Sequence, residues 1–295
     1  MINILQSVPL AQYTTFGIGG PADYFVIATS KDELVEAVLY AKANSLPFFI
    51  LGTGANILIG DKGFRGLVIK NEAKNITIHN AQVTAEGGVI IADVIAKTQQ
   101  IGLSGFEHYA GIPSTVGGAL WQNLHFLSAD RTYTEYIGSI VKSAHILQKD
   151  ATVKEVKADY FEFTYDWSIL HKTHEIVLDA TFQLKQDDPQ TIQKRIEENL
   201  KWRNEKHPEN AVKTSAGSIF KKLEGYGAGR LIQQVGLSGY KSGGAEVSTK
   251  HSNFIINTGN ATALDVRNII DKIQKTITDQ LGLVLETEIS FIGEF

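Results

Sequence analysis

Three glycine-rich segments with few charged residues occur near the start of the chain, and each places glycines beside Thr, Ser or Asn. They are TTFGIGGPADYF (14–25), LGTGANILIGDKGFRG (51–66) and AGIPSTVGGALWQN (110–123). Glycine lets the backbone approach a ligand closely and adopt positive φ, and successive N–H groups then form a concavity that binds anions. Any one of these segments, taken alone, is more simply interpreted as a turn. Three of them, each beside a predicted strand, indicate a dinucleotide site.

The spacing within these segments excludes two familiar nucleotide sites. None has the G-x-G-x-x-G pattern after a first strand, and none has a Walker A sequence. A nucleotide bound by these loops therefore requires a fold other than the Rossmann or P-loop folds.

A second group of candidate residues lies in TSAGSIFKKLEGYGAGRLI (214–232). Ser218 lies outside any G-x-S-x-G elbow, so it is a poor candidate for a hydrolase nucleophile, and an isolated serine is usually a surface or capping residue. Lys221 and Lys222 could form a solvated face or could bind an anionic substrate. In the C-terminal LVLETEISFIGEF, Glu286 and Glu288 should share one face of a strand, which by itself indicates an exposed edge.

Composition limits the class of protein. The 295 residues are enough for two domains, and the 43% hydrophobic and 20% charged content is typical of a globular enzyme. The net charge of −4 makes nucleic acid an unlikely main partner. The absence of cysteine excludes disulfides, thiolate catalysis and Cys-ligated metal. With no signal-peptide pattern and no long apolar run, we expect a soluble cytoplasmic protein without bound metal.

Helices and strands are predicted in both halves of the chain. A helix over 30–44 has Ser30 and Glu33 as a capping-box pair, and a second helix over 89–101 ends before Gly102. Between them, PFFILGTGANIL predicts a buried strand that runs into a turn, and ITIHNAQVTAEGG predicts a hairpin.

The later elements follow the same logic. VKSAHILQKDATVKEVKA predicts two strands joined at 149–150, and EIVLDATFQL alternates like a half-buried strand. Asp188 and Pro189 begin a helix that has Ile192, Ile196 and Leu200 on one face. A short helix over 228–235 and a strand NFIIN come next. The last helix begins at Thr262, ends before Gly282, and should bury the apolar positions Leu264, Ile269, Ile270, Ile273 and Ile277. A domain boundary is predicted near Asp187.

Seven segments, taken in order, resemble the UDP-N-acetylenolpyruvoylglucosamine reductases (MurB-type) of cell-wall synthesis. They are TFGIGGPADYF, LGTGANILIGDKGFRGLVI, GIPSTVGGA, SAGSIFK, AGRLIQQVGLSGYKSGGAEVSTKHSNFIIN, ATALDV and LETEISFIGEF. The resemblance covers nearly the whole chain.

This resemblance implies an α+β fold with two domains. Residues 1–186 would form a two-part FAD-binding domain of the vanillyl-alcohol-oxidase (PCMH) type, with subdomains of about 1–70 and 71–186. Residues 187–295 would form an α+β substrate-binding domain. The glycine-rich loops would bind FAD, with Ser114 and Thr115 as hydroxyl donors. The implied cofactor-binding residues are Gly17, Gly19, Gly52, Thr53, Gly54, Ala55, Asn56, Gly111, Ile112, Pro113, Ser114, Thr115, Gly117, Gly118 and Ala119.

The implied reaction passes hydride from NADPH through the flavin to the enolpyruvyl double bond of a UDP-sugar, which forms UDP-N-acetylmuramate. Hydride addition leaves negative charge beside the carboxylate, and this charge must be stabilised and then protonated. The resemblance assigns the proton donor to Ser218 and an assisting role to Glu288. It also implies that Asn123, Tyr165 and Lys221 bind substrate.

Two segments depart from the family pattern. Where the family usually has Tyr-Arg-x-Ser, this chain has Tyr165, Asp166, Trp167 and Ser168, so an acid replaces the arginine that assists the enol intermediate. After the third loop, NLHFLSADR keeps only the Asn of the usual Asn-Ala-Gly-Ala-Tyr-Gly. We hypothesise that a cation from this stretch replaces the arginine and pairs with Asp166, with Arg131 favoured over His125. The alternative is that Arg131 lies at the surface and Asp166 caps a turn.

Two other functions remain compatible with the sequence. One is a flavoprotein of the same fold that oxidises or reduces another substrate. The other is a flavin-binding protein that has lost catalysis, which the change at Asp166 would permit. Reduction of bound FAD by NADPH and turnover of the enolpyruvyl substrate distinguish the three.

Overall fold

The computed structural model describes residues 2–128, 130–223 and 225–295. The strands are β1 (Leu5–Pro9), β2 (Pro21–Ala28), β3 (Phe48–Leu51), β4 (Ile57–Ile59), β5 (Phe64–Asn71), β6 (Ile76–His79), β7 (Gln82–Glu86), β8 (Leu103–Ser104), β9 (His125–Leu127), β10 (Thr134–Tyr136), β11 (Val141–Leu147), β12 (Val153–Lys157), β13 (Ile176–Gln183), β14 (Lys185–Gln186), β15 (Lys241–Ser242), β16 (Ala245–Val247), β17 (Ile255–Asn257) and β18 (Ser290–Ile292). The helices are α1 (Lys31–Ala43), α2 (Ile91–Gln100), α3 (Val116–Gln122), α4 (Leu170–Thr173), α5 (Pro189–Lys206), α6 (Ala211–Thr214), α7 (Ala228–Gln234) and α8 (Ala263–Leu281). This content confirms the predicted α+β class.

The described chain divides into two compact units that do not follow sequence order. Unit one contains the chain up to Ile4, Val26–Gly52 and Ile69–Arg203. Unit two contains Leu5–Phe25, Thr53–Val68 and Asn204–Phe295. The strands β2 and β5 belong to the sheet β1-β2-β5-β3, and each passes from one unit into the other. The limits 1–186 and 187–295 stay a prediction about functional domains.

Unit one is built on an antiparallel sheet with the order β12-β11-β13-β7-β6. Both predicted hairpins are present in it, β6–β7 and β11–β12. The prediction that β13 is half-buried is wrong, because Ile176–Ala180 are all buried. Successive side chains of a strand point to opposite faces, so five buried residues in a row mean that both faces are covered. Helices α1 and α3 both contact this central strand.

The predicted helix starts are confirmed, with one correction to a cap. The Ser30 hydroxyl accepts a hydrogen bond from the Glu33 N–H at 3.2 Å, as an N-cap should. The Glu33 carboxylate, however, accepts from the N–H and hydroxyl of Thr29 at 2.7 and 2.8 Å. The capping box at Ser30 is therefore only half formed. Helix α8 has the complete box between Thr262 and Asp265.

Helix α5 begins as predicted, since the Asp188 carboxylate accepts the Thr191 N–H at 2.8 Å. Its apolar face is less buried than expected, because Leu200 is 39% exposed while Ile192 is buried. The same helical stripe continues to Arg203 near the end of α5.

Unit two has its own core around α8. Ile269, Ile270, Ile273 and Ile277 are buried as predicted, and they pack with α7 and with the small sheet β15-β16-β17. Leu264 was predicted to be buried but is 57% exposed, because it lies one residue after the buried Ala263 and therefore on another side of the helix. Strands β4 and β18 pair in parallel within this unit.

None of the helices in the described ranges is long and apolar enough to cross a membrane. No group of three or more His, Asp or Glu side chains among the described residues could hold a metal ion.

Candidate functional site

The first two glycine-rich loops meet in unit two. The Thr15 N–H donates to the Gly54 carbonyl at 3.2 Å, and the Thr15 hydroxyl donates to the Ser215 carbonyl at 2.7 Å. Gly54 has φ of +66°, and a Cβ there would overlap the Tyr13 carbonyl. Only glycine satisfies both conditions, so the loop 53–56 is fixed directly against the loop 14–20.

The loop 53–56 presents a row of backbone donors. The N–H groups of Gly54, Ala55 and Asn56 donate to no residue that the structure describes, although Gly54 is buried. Consecutive N–H groups next to a residue with positive φ form an anion-binding nest. A buried N–H without an acceptor is costly, so this geometry fits a phosphate group of a bound nucleotide.

The Ser218 segment lies in the same unit and is held by backbone hydrogen bonds on two sides. The Ile219 N–H donates to the Asn253 carbonyl at 2.8 Å, and the Glu288 N–H donates to the Ile219 carbonyl at 2.8 Å. These bonds place the segments that contain the predicted catalytic residues Ser218 and Glu288 next to each other, joined by isolated β-bridges. The Ser218 side chain is half-buried, and its hydroxyl has no hydrogen-bond partner among the described residues.

Asn253 is a residue that the sequence interpretation missed. Its buried amide accepts from the Phe220 N–H at 3.0 Å and donates to the Phe220 carbonyl at 2.8 Å, so one side chain replaces a strand partner. The Asn253 N–H in turn donates to His251 Nδ1 at 3.3 Å. Burial lowers the pKa of His251, which favours the neutral imidazole that can accept this bond.

Two further contacts tie the C-terminal strand to the glycine-rich loop. The Asn56 side chain donates to the Glu288 carbonyl at 3.2 Å, and the Ser290 N–H donates to the Asn56 carbonyl at 3.0 Å. The loop 53–56 and the Glu288 backbone are therefore neighbours in unit two.

Lys221 lies beside the C-terminal strand as well. Its N–H donates to the Glu286 carbonyl at 2.9 Å, and its Nζ is 3.5 Å from Glu286 Oε2. The two side chains are 37% and 75% exposed, and ion pairs this exposed contribute little to stability. The lysine charge is available to an anionic substrate, so a role for Lys221 in substrate binding stays a prediction.

The third glycine-rich loop lies in unit one and leads into α3. Thr115 is the N-cap of this helix, and its hydroxyl accepts from the Gly118 N–H at 3.2 Å. The Ser114 hydroxyl donates to the Thr115 carbonyl at 3.0 Å. Of the two hydroxyls predicted as donors to FAD, Ser114 thus donates within the loop, whereas Thr115 acts there as an acceptor. The N–H groups of Ser114 and Thr115 have no acceptor among the described residues, so the backbone is the better candidate for binding.

Contacts from elsewhere in unit one hold this loop. The Gly117 N–H donates to the Gly87 carbonyl at 2.8 Å. A Cβ at Gly52 would lie 2.7 Å from Thr115 Oγ1, so the glycine is required for close packing. Lys70 Nζ donates to the Gly52 carbonyl at 2.9 Å, and burial lowers the pKa of Lys70. The sequence interpretation missed Lys70. A lysine within the apolar strand LVIKN could have identified it, because a charged residue there needs a polar partner.

The segments that depart from the family pattern are also in unit one. Asn123 is buried with φ of +48°, and its amide donates to the Thr164 carbonyl at 2.8 Å and accepts from the Gly138 N–H at 3.2 Å. Both polar atoms of Asn123 thus stabilise the chain. The Tyr165 ring lies 4.9 Å from the His125 ring. Substrate contacts for Asn123 and Tyr165 stay predictions.

The hypothesis that Arg131 pairs with Asp166 is wrong. Asp166 is buried, and its Oδ1 accepts from Gln122 Nε2 at 2.5 Å. The Arg131 guanidinium instead lies 5.6 and 5.3 Å from the rings of Phe126 and Trp202. It also donates to the Leu127 carbonyl at 3.4 Å. The aromatic rings attract the cation, an interaction that residue types alone did not reveal.

Comparisons with known proteins agree with this arrangement. Residues 22–157 match the model of an FAD binding domain, and residues 207–292 match the C-terminal domain of UDP-N-acetylenolpyruvoylglucosamine reductase. A reductase of that name from Caldanaerobacter subterraneus is 39% identical over 97% of this chain and 92% of its own length. The one from Pediococcus pentosaceus is 38% identical over 99% and 95%.

This chain belongs to the UDP-N-acetylenolpyruvoylglucosamine reductase family. A solved structure agrees, since the crystal structure of MurB from Thermus caldophilus superposes with a TM-score of 0.81 at 28% identity and covers 99% of both chains. The chain is an FAD-dependent oxidoreductase with a two-domain α+β FAD-binding fold, as expected.

Proposed function

We propose that this protein reduces the enolpyruvyl group of UDP-N-acetylglucosamine enolpyruvate, with NADPH as reductant, to give UDP-N-acetylmuramate for peptidoglycan synthesis. Residues 1–186 would serve the cofactor and residues 187–295 the substrate. We also propose that the enzyme acts in the cytoplasm, an inference that rests on the class of its nucleotide substrates.

One observation carries the proposal. In unit two, the half-buried Ser218 hydroxyl and the Glu288 strand are fixed side by side through Ile219, and Asn56 of the anion-binding loop bonds the Glu288 carbonyl. The backbones of the proposed proton donor and of Glu288 and the candidate phosphate-binding loop thus belong to one hydrogen-bond network, which supports the proposal. This is the combination that reduction of a double bond next to a carboxylate requires.

Bound FAD supplies the hydride in this reaction. The residues of the chain must then handle one proton and one negative charge. When hydride adds to the terminal carbon, the electron pair on the neighbouring carbon is delocalised into the carboxylate. Ser218 would donate its hydroxyl proton to that neighbouring carbon. A serine hydroxyl is a weak acid. The Glu288 carboxylate would therefore assist the transfer of a proton from solvent back to Ser218.

The proposed function is tested by assaying the purified protein anaerobically with NADPH and UDP-N-acetylglucosamine enolpyruvate. Flavin absorbance reports reduction by NADPH and reoxidation by substrate, and product analysis by mass spectrometry identifies the lactyl ether. We expect one product molecule for each NADPH oxidised. Flavin that NADPH reduces but the enolpyruvyl substrate does not reoxidise would refute this substrate assignment. A protein whose flavin NADPH does not reduce would refute the assignment of the reductant.

A further inference from the structure

The region around Phe126 contains a cation that neither the family pattern nor the sequence interpretation identified. Arg203 is on the last turns of α5, and its guanidinium lies 5.3 Å from the centre of the Phe126 ring. It continues the helical stripe of Ile192, Ile196 and Leu200, which is buried at Ile192 and exposed at Leu200, and Arg203 itself is half-buried.

The Arg203 side chain is packed against Gly111, the second residue of the third glycine-rich loop. A Cβ built on Gly111 would lie 3.1 Å from Arg203 Nε and 3.2 Å from its Cδ. It would also lie 2.9 Å from Leu200 Cδ2. Gly111 has φ of +81°, so glycine suits this position in two ways, through its backbone and through the close approach of α5. The loop and the arginine form one local structure within unit one.

The guanidinium has no acidic partner among the described residues. No carboxylate forms an ion pair with it, and none of its five N–H donors is hydrogen-bonded to a described group. Burial alone lowers the pKa of Arg203, to about 10. Arg195, two turns earlier on the same helix, is paired with both Glu107 and Asp187. Arg195 thus receives carboxylates from residues outside α5, whereas Arg203 receives none from the described residues.

A half-buried cation with unused donors has lost part of its hydration, and a bound anion can compensate that loss. The planar guanidinium fork suits the bidentate binding of a phosphate or another delocalised anion. Because Arg203 contacts the beginning of a loop whose Ser114 and Thr115 N–H groups point to FAD binding, the ligand that fits is an anionic group of FAD.

We propose that Arg203 is a cofactor-binding residue that contacts an anionic group of FAD beside Gly111. The anion is either the pyrophosphate or the pyrimidine edge of the flavin, which becomes negative on reduction. The inference rests on FAD binding and does not depend on the substrate named in the proposed function.

The test compares Arg203→Met and Arg203→Lys with the parent protein. FAD is removed, and its dissociation constant and reduction potential are measured after reconstitution, with circular dichroism to confirm folding. A charge-assisted hydrogen bond corresponds to roughly a 10- to 100-fold loss of FAD affinity in Arg203→Met. Arg203→Lys should recover part of this loss, because it keeps the charge without the fork. Arg267→Met is the matched control, since Arg267 lies 4.6 Å from the Phe291 ring at the surface of unit two.

Two results distinguish the sources of the anion. A weaker FAD affinity with an unchanged potential assigns Arg203 to the pyrophosphate. A lower potential assigns it to the flavin ring, with about 30 mV for each tenfold preference for the two-electron-reduced form. Unchanged affinity and unchanged potential in a folded Arg203→Met protein would overturn the proposal. Equal losses in Arg203→Met and Arg267→Met would also overturn it, because they would reflect a general loss of arginine–ring packing.

Discussion

The Ser218 region of unit two and the Phe126 region of unit one hold their chains in different ways. Around Ser218, the contacts run between backbone groups of Ile219, Asn253 and Glu288, with one amide side chain as a clamp. Around Phe126, side chains contact one another, with two arginines against aromatic rings. A region held by its backbone leaves its side chains available to a ligand, whereas a region held by side chains uses them for packing.

This difference explains why the departures from the family pattern fall where they do. Tyr165, Asp166, His125 and Arg131 belong to the region held by side chains. Ser218, in contrast, matches the residue of the family pattern. It lies on a segment that is held by backbone hydrogen bonds and not by the serine side chain. Four predictions test the comparison.

The largest expected effect is that of Ser218→Ala. Loss of a general acid typically costs about 10²–10⁴-fold in rate. We expect that loss in substrate-dependent flavin reoxidation, with reduction by NADPH nearly unchanged, both measured by stopped-flow absorbance. Folding should be intact, because the Ser218 hydroxyl bonds to no described residue. Ser139→Ala, an exposed serine of unit one, is the control, and normal turnover in Ser218→Ala would remove Ser218 from the mechanism.

Asn253→Ala should mainly lower stability. It leaves the buried Phe220 N–H and carbonyl without partners, and each such group costs about 1–3 kcal/mol. We expect the free energy of unfolding in urea to fall by about 2–4 kcal/mol. Substrate-dependent reoxidation should slow as well, since the Ser218 segment loses its clamp. The exposed Asn260→Ala is the matched control, and an unchanged unfolding midpoint would show that the clamp is not needed.

The sequence was most informative where periodicity and capping chemistry determine structure. The hairpins β6–β7 and β11–β12 and the caps at Asp188 and Thr262 were all predicted from local signals. Burial was less predictable, because it depends on partners that are distant in the chain. Apolar residues alternate along β13 as in a half-buried strand, but the strand is covered on both faces. Leu264 was expected to be buried because it is apolar, but it is exposed.

The same limit applied to the candidate site. The glycine-rich loops and Ser218 could be found because their residue types are unusual for their positions. Arg203, Lys70 and Asn253 could not be given roles, because each role depends on a contact with a residue distant in the chain. The separation is 18 residues for Lys70 and Gly52, 33 for Asn253 and Phe220, and 92 for Arg203 and Gly111. A charged residue on an apolar stripe, as at Arg203 and Lys70, was the available signal, and it was overlooked.

Asp166→Asn should have a small effect on catalysis. The acid is buried and accepts from Gln122, and an asparagine keeps an oxygen for that bond while burying no charge. We expect both half-reactions to stay within about threefold of the parent and the unfolding free energy to change by at most about 1 kcal/mol. A tenfold loss in the substrate-dependent step alone would place Asp166 among the catalytic groups and would contradict the packing role of this region.

The smallest expected effect is a pH dependence of stability that comes from His251. Burial holds the folded pKa of His251 below its usual 6.5. As the pH falls below 6.5, the unfolded chain therefore binds a proton that the folded chain does not, and stability decreases until the pH reaches the lower folded pKa. Above 6.5 the imidazole is neutral in both states, so this term vanishes. Protonation of Nδ1 would also remove the acceptor of the Asn253 N–H. This would weaken the hydrogen bonds by which Asn253 holds the Ser218 segment.

The measurement is a series of urea unfolding curves between pH 5 and 8 for the parent and for His251→Asn, whose side-chain oxygen can replace Nδ1 as acceptor. The variant should lose less stability on acidification than the parent, and the two should converge above pH 7. His79→Asn, at an exposed position of β6, serves as the control and should follow the parent. If His251→Asn follows the parent over the whole range, the buried imidazole does not couple proton binding to folding. The Ser218 region would then be held by Asn253 alone.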